Sequence, residues 1–241
     1  MTIVDGDGII RLPSPSLYYG ANLKMNLSVK TINILKNFSS INPSIVIKPG
    51  NVLKTISPTK TVMAKASVPD NFDKSFAIYN LSQFISSIAM FDAPDLQFGD
   101  HSVMIGHGSR SIVYHYADQS VVIAPPERDI TLPSEDASFR LTNKDIQDVS
   151  KALGILSLPE IAVVGDGEKI VLQAVDSKNQ STNQYSIELG ETGNVFRAIF
   201  KAENLKMIAG DYDVTICSKG ISHFVGLEAS YWIAVEQNSN F

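Results

Sequence analysis

Two stretches far apart in this chain follow one plan. FAIYNLSQFISSI begins at Phe76 and FRAIFKAENLKMI at Phe196, and each reads as a short strand with Ala-Ile-aromatic running directly into a helix. A chain that builds the same element twice is constrained to a duplicated fold, because the elements around each copy must then repeat as well.

The flanking sequence follows that plan. In the first half, LSVKTINILKNFSSI places Leu27, Ile34, Leu35, Phe38 and Ile41 on one face. This predicts an amphipathic helix over 28–40 with Ser28 as its N-cap. SIVIKPGNVLKTIS gives two strands around a Pro-Gly turn. KSFAIYN then leads to a helix over 81–91 with Leu81, Phe84, Ile85 and Ile88 inward, and DLQFG, SVMIGH and SIVYHYA supply further strands. In the second half, LTNKDIQDVSKALGIL predicts a helix over 142–153 capped by Thr142, and EIAVVGDGEKIVLQAV a hairpin around Asp-Gly. QYSIELG follows, then VFRAIF leading to a helix predicted over 201–208, and DYDVTIC, SHFVGL and SYWIAVEQ.

The register agrees: Leu27 pairs with Leu141, Ile45 with Ile161, Ala77 with Ala198 and Asp95 with Asp211, at separations of 114, 116, 121 and 116. The Pro- and acid-rich DQSVVIAPPERDITLPSEDAS between the halves reads as a connector. The expected division is a segment over 1–24 outside the repeat, a first unit over 25–117, a connector over 118–139 and a second unit over 140–241. The expected fold class is α+β, each unit carrying two helices packed on antiparallel sheets.

Composition narrows the function classes. No apolar run approaches the ~18 residues of a membrane span, and the acidic N-terminus MTIVDGDG is not that of a secretory signal. One cysteine, Cys217, excludes an intrachain disulfide framework and points to a buried thiol in a reducing compartment. The net charge of −5 argues against a wholly basic surface, but its distribution is uneven. The four predicted helices hold Lys30, Lys36, Lys144, Lys151, Lys201 and Lys206 against Asp145, Asp148 and Glu203, while the remaining chain holds 14 basic and 22 acidic residues. At 100° per residue Lys36 lies opposite its apolar stripe, and Lys144, Gln147 and Lys151 share a polar face from which Asp145 and Asp148 are displaced. Charge on one helix is ordinarily a solvated face. Four helices whose apolar sides share a sheet would instead set a basic surface against a polyanion while the exterior repels it.

Catalytic readings find little support. His101, His107 and His115 lie in one hairpin region without cysteine and without metal-site helical spacing. GHGS at 106–109 and GDG at 165–167 read as tight turns, and Asp211 and Asp213 as turn and solvent-facing carboxylates. The expectation is a protein that is not an enzyme and needs no cofactor or metal.

LSVKTINILKNFSSINPSIVIKPG, FAIYNLSQFISSI, ENLKMIAGDYDV and the ending YWIAVEQNSNF resemble the DNA polymerase sliding clamps of myovirus-type tailed bacteriophages, and the resemblance covers nearly everything from Met25 to Phe241. It implies a homotrimeric, pseudo-six-fold ring whose helices line a hole around double-stranded DNA, tethering the replicative DNA polymerase in the cytoplasm of an infected bacterium. It further implies opening by an ATP-driven clamp loader, service to late-transcription factors, and no membrane. Lys36 is carried over through LKNF, Lys206 through LKM before GDY, and Lys151 as a position that tends to be basic. Lys30, Lys144 and Lys201 rest on helical geometry. The uncharged second helix leaves Ser82, Gln83 and Ser86 as neutral contacts. The resemblance also implies an apolar peptide pocket near the connector, for which Val121, Val122, Ile123 and Pro125, with Tyr231 and Val235 of the last strand, are candidates. Residues 1–24 have no place in the pattern and are expected to pack outside the ring or to be disordered; docking of PSLYYGANL onto the clamp itself is a minor alternative. The competing class is a structural module of a phage particle, which shares the duplication but requires no co-facing lysines.

Overall fold

The structure, a computed structural model, describes residues 24–179 and 181–241, with the backbone of two short strands upstream. Those strands, β1 (Ile3–Val4) and β2 (Ile10–Arg11), pair with each other. Lys24 forms an ion pair with Asp95 at 2.9 Å; the expectation for the rest of 1–24 lies outside the described residues.

The first half runs α1 (Val29–Ile41), β3 (Ile45–Ile47), β4 (Gly50–Ile56), β5 (Val62–Phe72), β6 (Phe76–Ile78), α2 (Leu81–Ala89), β7 (Asp95–Phe98), β8 (Ser102–His107) and β9 (Arg110–His115). A 3₁₀ turn at Gln119–Val121 opens the connector. The second half runs β10 (Ala137–Leu141), α3 (Asn143–Leu156), β11 (Glu160–Asp166), β12 (Lys169–Val175), β13 (Tyr185–Glu191) and β14 (Val195–Lys201). It ends with β15 (Tyr212–Cys217), β16 (Ile221–Gly226) and β17 (Ser230–Ala234).

Helix ends form where the sequence supplies acceptors. Ser28 caps α1, its Oγ accepting from the Thr31 N–H at 3.2 Å. Thr142 caps α3 in a capping box closed by Asp145. At α1 a second, distant acceptor joins in. The Asp70 carboxylate on β5 accepts from the Ser28 N–H at 2.9 Å, from the Ser28 hydroxyl at 2.7 Å and from the Thr31 hydroxyl. One negative group from the sheet thus fixes the positive end of the helix that lies on it.

All pairings between these strands are antiparallel. One sheet has the order β10-β15-β16-β17-β5-β4, so it crosses from the second half into the first where β17 pairs with β5. The order β13-β12-β11-β14 makes another sheet, β7-β8-β9 a third, and β3-β6 a small fourth. Helix α1 lies on β4 and β5 and beside α2, and α3 lies on β12 and β13. Apolar faces of helices and sheets meet in one core that runs through both halves, from Ile34, Leu35 and Phe38 to Tyr212, Phe224 and Tyr231.

The repeat is visible in the pairing. Met25 bridges Leu96, and Leu141 pairs with Tyr212, so both members of one pair stand 116 positions from their counterparts. Leu141 therefore matches Met25 rather than Leu27, while the helix caps Ser28 and Thr142 keep the 114 separation. The Ala-Ile-aromatic match needs a correction too. Phe76 and Ile78 of β6 face the core, as do Phe196, Ala198 and Phe200 of β14, whereas Ile199 belongs to a cluster on the opposite face. Ile45 pairs with Ile78 and Ile161 with Phe200, so Ile78 corresponds to Phe200. A slip of one residue would turn every side chain to the wrong face; the shared letters are one position out of register.

The helix expected over 201–208 does not form. Lys201 ends β14, Ala202–Asn204 make a 3₁₀ turn, and residues 205–208 run irregularly. Their backbone groups are taken by side chains from elsewhere. The Lys206 carbonyl accepts from Asn37 Nδ2 at 3.0 Å, the Ile208 N–H donates to the Tyr231 hydroxyl at 3.1 Å, and the Ile208 carbonyl accepts from the Tyr212 hydroxyl. With these groups satisfied from outside, the i→i−4 ladder has nothing to gain there. Gly226 leaves room for this arrangement, since a Cβ there would lie 2.5 Å from Cε1 of Tyr212.

Replacing Asp70 by Ala strips charge-assisted bonds from the start of α1 while deleting no core atoms. It should lower stability by about 2 kcal/mol, read as a drop in the urea midpoint without a change in slope. An unchanged midpoint would mean that Ser28 alone holds that helix end.

Candidate functional site

The six lysines singled out from the sequence are all on the surface, but they are not equivalent. Lys36 on α1 and Lys151 on α3 are exposed, as are Ser82, Gln83 and Ser86 on α2. Lys144 is exposed and joined to Asp148 one turn on, which holds the ammonium pKa above and the carboxyl pKa below their usual ranges. Asp148 therefore does not stand clear of the lysine face: the i, i+4 spacing brings it to Lys144. Lys30 is half-buried and faces Glu228 at 3.3 Å. Lys201 lies at the end of a strand and Lys206 in the irregular segment, its ammonium donating to the Ser40 carbonyl at 2.8 Å in the last turn of α1. Lys36, Lys151 and Lys201 are exposed and make no ion pair among the described residues, and of these three Lys36 and Lys151 stand on helices.

The connector crosses the opposite face of the sheets from α1. Ile130 and Leu132 pack on Ile56, Met63 and Trp232, which His223 covers in a stack with centroids 4.3 Å apart. Before that anchor the chain is tied by charge. Asp129 accepts from Lys54 and from Lys65, each at 2.7 Å, and those two hydrogen bonds pull its pKa down to about 2. Glu127 pairs with Lys48, which lowers its pKa as well. Between connector and sheet lies a cavity of about 190 Å³ lined by Val46, Pro49, Val52, Ala124, Pro125 and Pro126, with Lys48 and Lys54 at its edge. Val121 and Ile123 are exposed nearby in the chain, Val122 is buried, and Asn42 Nδ2 reaches the Ile56 carbonyl at 2.8 Å and the Ile123 carbonyl at 3.4 Å.

Of the expected pocket residues, Pro125 lines this cavity. Tyr231 does not: it is fully buried under α1, with its hydroxyl donating to Asn37 Oδ1 at 2.8 Å, and burial pushes its pKa up to about 12. Val235 is buried beside it in the same core. Alternation decides this, because Tyr231 and Trp232 are neighbours on β17 and must face opposite sides. Val46, Lys48, Val52 and Lys54 line the cavity as well, and β-strand alternation in SIVIKPGNVLK is the signal that points them outward.

Asp211 and Asp213 are both engaged by Arg140 at 3.1 Å, and Asp211 also accepts from the Asn143 N–H at the start of α3. Among the described residues no group of three or more His, Cys, Asp or Glu is placed to hold a metal ion, and no helix is long and apolar enough to cross a membrane.

Known proteins share this geometry. Residues 27–123 match the family described as DNA polymerase processivity factor, and residues 138–237 the family described as gp45 sliding clamp, C terminal. The chain is 34% identical over 220 residues to a sliding clamp of Vibrio phage KVP40, covering 88% of this chain and 99% of that protein. It belongs to the sliding clamp family. A second clamp, from Enterobacteria phage T4, is 31% identical over 225 residues, 89% of this chain and 98% of that one. Solved clamps share the fold at far lower identity. The PCNA of A. fulgidus, solved with the C-terminal region of FEN-1, gives a TM-score of 0.65 at 13% identity over 88% of this chain and 98% of that one. DNA polymerase III subunit beta from Borrelia burgdorferi gives 0.69 at 8% identity over 95% and 67%. As a clamp the chain is a processivity factor for DNA polymerase and not an enzyme.

The clamp's connector offers a direct check on its charge latch. Asp129→Asn leaves the Ile130 and Leu132 anchor in place, so at neutral pH the thermal midpoint should fall only slightly while limited proteolysis within 118–128 quickens. Because the Asp129 pKa is lower than the ~3.9 of an unfolded chain, the latch contributes fully above about pH 4 and is lost as pH falls through about 2. Equal cleavage of parent and variant would assign the connector's order to the apolar anchor alone.

Proposed function

We propose that three copies of this chain close head to tail into a ring around duplex DNA and hold the replicative polymerase on its template. The carrying observation is a pair of strand edges. Within the chain, β17 pairs with β5 and so joins the two repeats in one sheet. By repeat symmetry β9 is the counterpart of β17, and β13 the counterpart of β5, yet β9 ends the sheet β7-β8-β9 and β13 ends the sheet β13-β12-β11-β14. Pairing β9 of one copy with β13 of the next would rebuild the joint the chain already makes. That contact is heterologous, so each copy retains one free edge of each kind until the ring closes.

The polarity of the surface supports the same reading. Lys36 on α1 and Lys151 on α3 stand on the helical side, away from the acidic connector with Glu127, Asp129 and Glu135. A few ammonium groups touching phosphates attract the duplex without reading bases, and topology supplies retention. The cavity beneath Ala124–Pro126 has the apolar lining and size to seat a short aromatic or aliphatic anchor of a partner such as the polymerase. An ATP-driven loader to open the ring, a second role on late promoters and a setting in the host cytoplasm complete the proposal.

Sedimentation equilibrium should give a species near three times 26.3 kDa at micromolar concentration; a monomer at every concentration removes the topological mechanism. Lys36→Glu with Lys151→Glu should leave that mass unchanged and shorten the products of clamp-dependent synthesis on a primed template at least tenfold, an effect on the order of 1.4 kcal/mol. Full-length products from the double variant would move the DNA path elsewhere.

A further inference from the structure

The irregular segment that replaces the expected fourth helix carries Lys206, and its surroundings give that lysine a different task from the others. α1 belongs to the first repeat and has no basic residue in its own last turn. The Lys206 ammonium, from the second repeat, donates to the Ser40 carbonyl at 2.8 Å. In return Asn37 Nδ2 of α1 donates to the Lys206 carbonyl at 3.0 Å. The same Asn37 accepts at Oδ1 from the Tyr231 hydroxyl at 2.8 Å, and that hydroxyl accepts from the Ile208 N–H. The Ile208 carbonyl in turn accepts from the Tyr212 hydroxyl. A continuous chain of hydrogen bonds therefore runs from the C-terminal turn of α1 into the second repeat and back. It satisfies a helix-end carbonyl, and it places a positive charge at the negative end of α1.

We propose that Asn37, Tyr231 and Lys206 form an inter-repeat clasp, in which Lys206 is a positioning residue that caps α1 rather than a contact to DNA. The sequence of the other repeat agrees that this is a specific device. Aligned on the N-caps Ser28 and Thr142, Asn37 corresponds to Lys151 and Ser40 to Gly154. Tyr114, the counterpart of Tyr231, bonds instead to the Asn80 carbonyl of its own repeat at 3.0 Å. The amide that links both sides of the clasp thus exists in one repeat only. At a joint between copies, Lys151 would stand where Asn37 stands within the chain. The clasp holds α1, and with it Lys36, at a fixed angle to the second repeat, while leaving the joint between copies without an equivalent tie. Its value for function rests on the ring reading above, because only there does the angle of α1 set the distance from Lys36 to a phosphate.

The test compares Lys206→Met, Lys206→Arg and Lys36→Met in the full chain. Binding to a double-stranded oligonucleotide is measured from low to moderate salt, together with amide hydrogen exchange. Lys36→Met should reduce the slope of log affinity against log salt by about one for each phosphate it leaves without a cation. Lys206→Met should keep the parent slope and speed exchange in the last turn of α1 and in residues 205–208 by roughly five-fold. Lys206→Arg, which keeps a cation and donors, should restore most of that protection. A slope reduced by Lys206→Met as much as by Lys36→Met overturns the assignment, and so does unchanged exchange. If Lys36→Met leaves the slope intact, the DNA path proposed above fails instead, and the exchange data still decide the clasp.

Discussion

The four-residue pairing between β5 and β17, Val62–Lys65 against Ser230–Ile233, is the contact on which the rest depends. It turns two small sheets into one six-stranded sheet and lets the cores of the two repeats merge. Each strand of the pair also makes contacts on both faces. Tyr231 looks inward to α1 and its clasp, Trp232 outward to the connector, and Lys65 reaches the Asp129 latch. A shift of one residue in this register would exchange the two faces and dismantle both at once.

Much of the architecture was legible because it is local. Helices α1, α2 and α3 announce themselves through apolar periodicity, α1 and α3 through their caps Ser28 and Thr142 as well, and the strands through alternation between turn residues. What the sequence concealed is what distant residues impose. The segment over 201–208 has helical periodicity, yet Asn37, Tyr212 and Tyr231 take its backbone groups. Asp70 lies 42 positions from the helix end it completes. The Ala-Ile-aromatic motif marks the repeat but stands one residue out of register, since identical letters do not guarantee identical faces.

The candidate site divides in the same way. The lysines of α1 and α3 follow from composition and spacing, and Lys36 and Lys151 are exposed there. Which lysines are already occupied depends on tertiary neighbours: Glu228 for Lys30, Asp148 for Lys144 and the Ser40 carbonyl for Lys206. Tyr231 and Val235 enter the pocket expectation only through the resemblance. Alternation sent both to the other side of the sheet.

The wide sequence separation across this junction has a consequence for how the molecule comes to be. Strand β5 is synthesised long before its partner β17, since the paired residues Lys65 and Ser230 stand 165 positions apart and Val62 and Ile233 stand 171 apart, so the junction closes only after both repeats have been made. Contacts of such long sequence separation form slowly. Meanwhile the edge of β5 is open, and β9, the repeat's own likeness of β17, is already present in the same chain and in every neighbouring copy. Correct folding is thus a competition between two similar strands for one edge. The clasp residue Tyr231, fully buried at the joint and bonded to Asn37 as Tyr114 is not, favours β17 over the earlier-made β9.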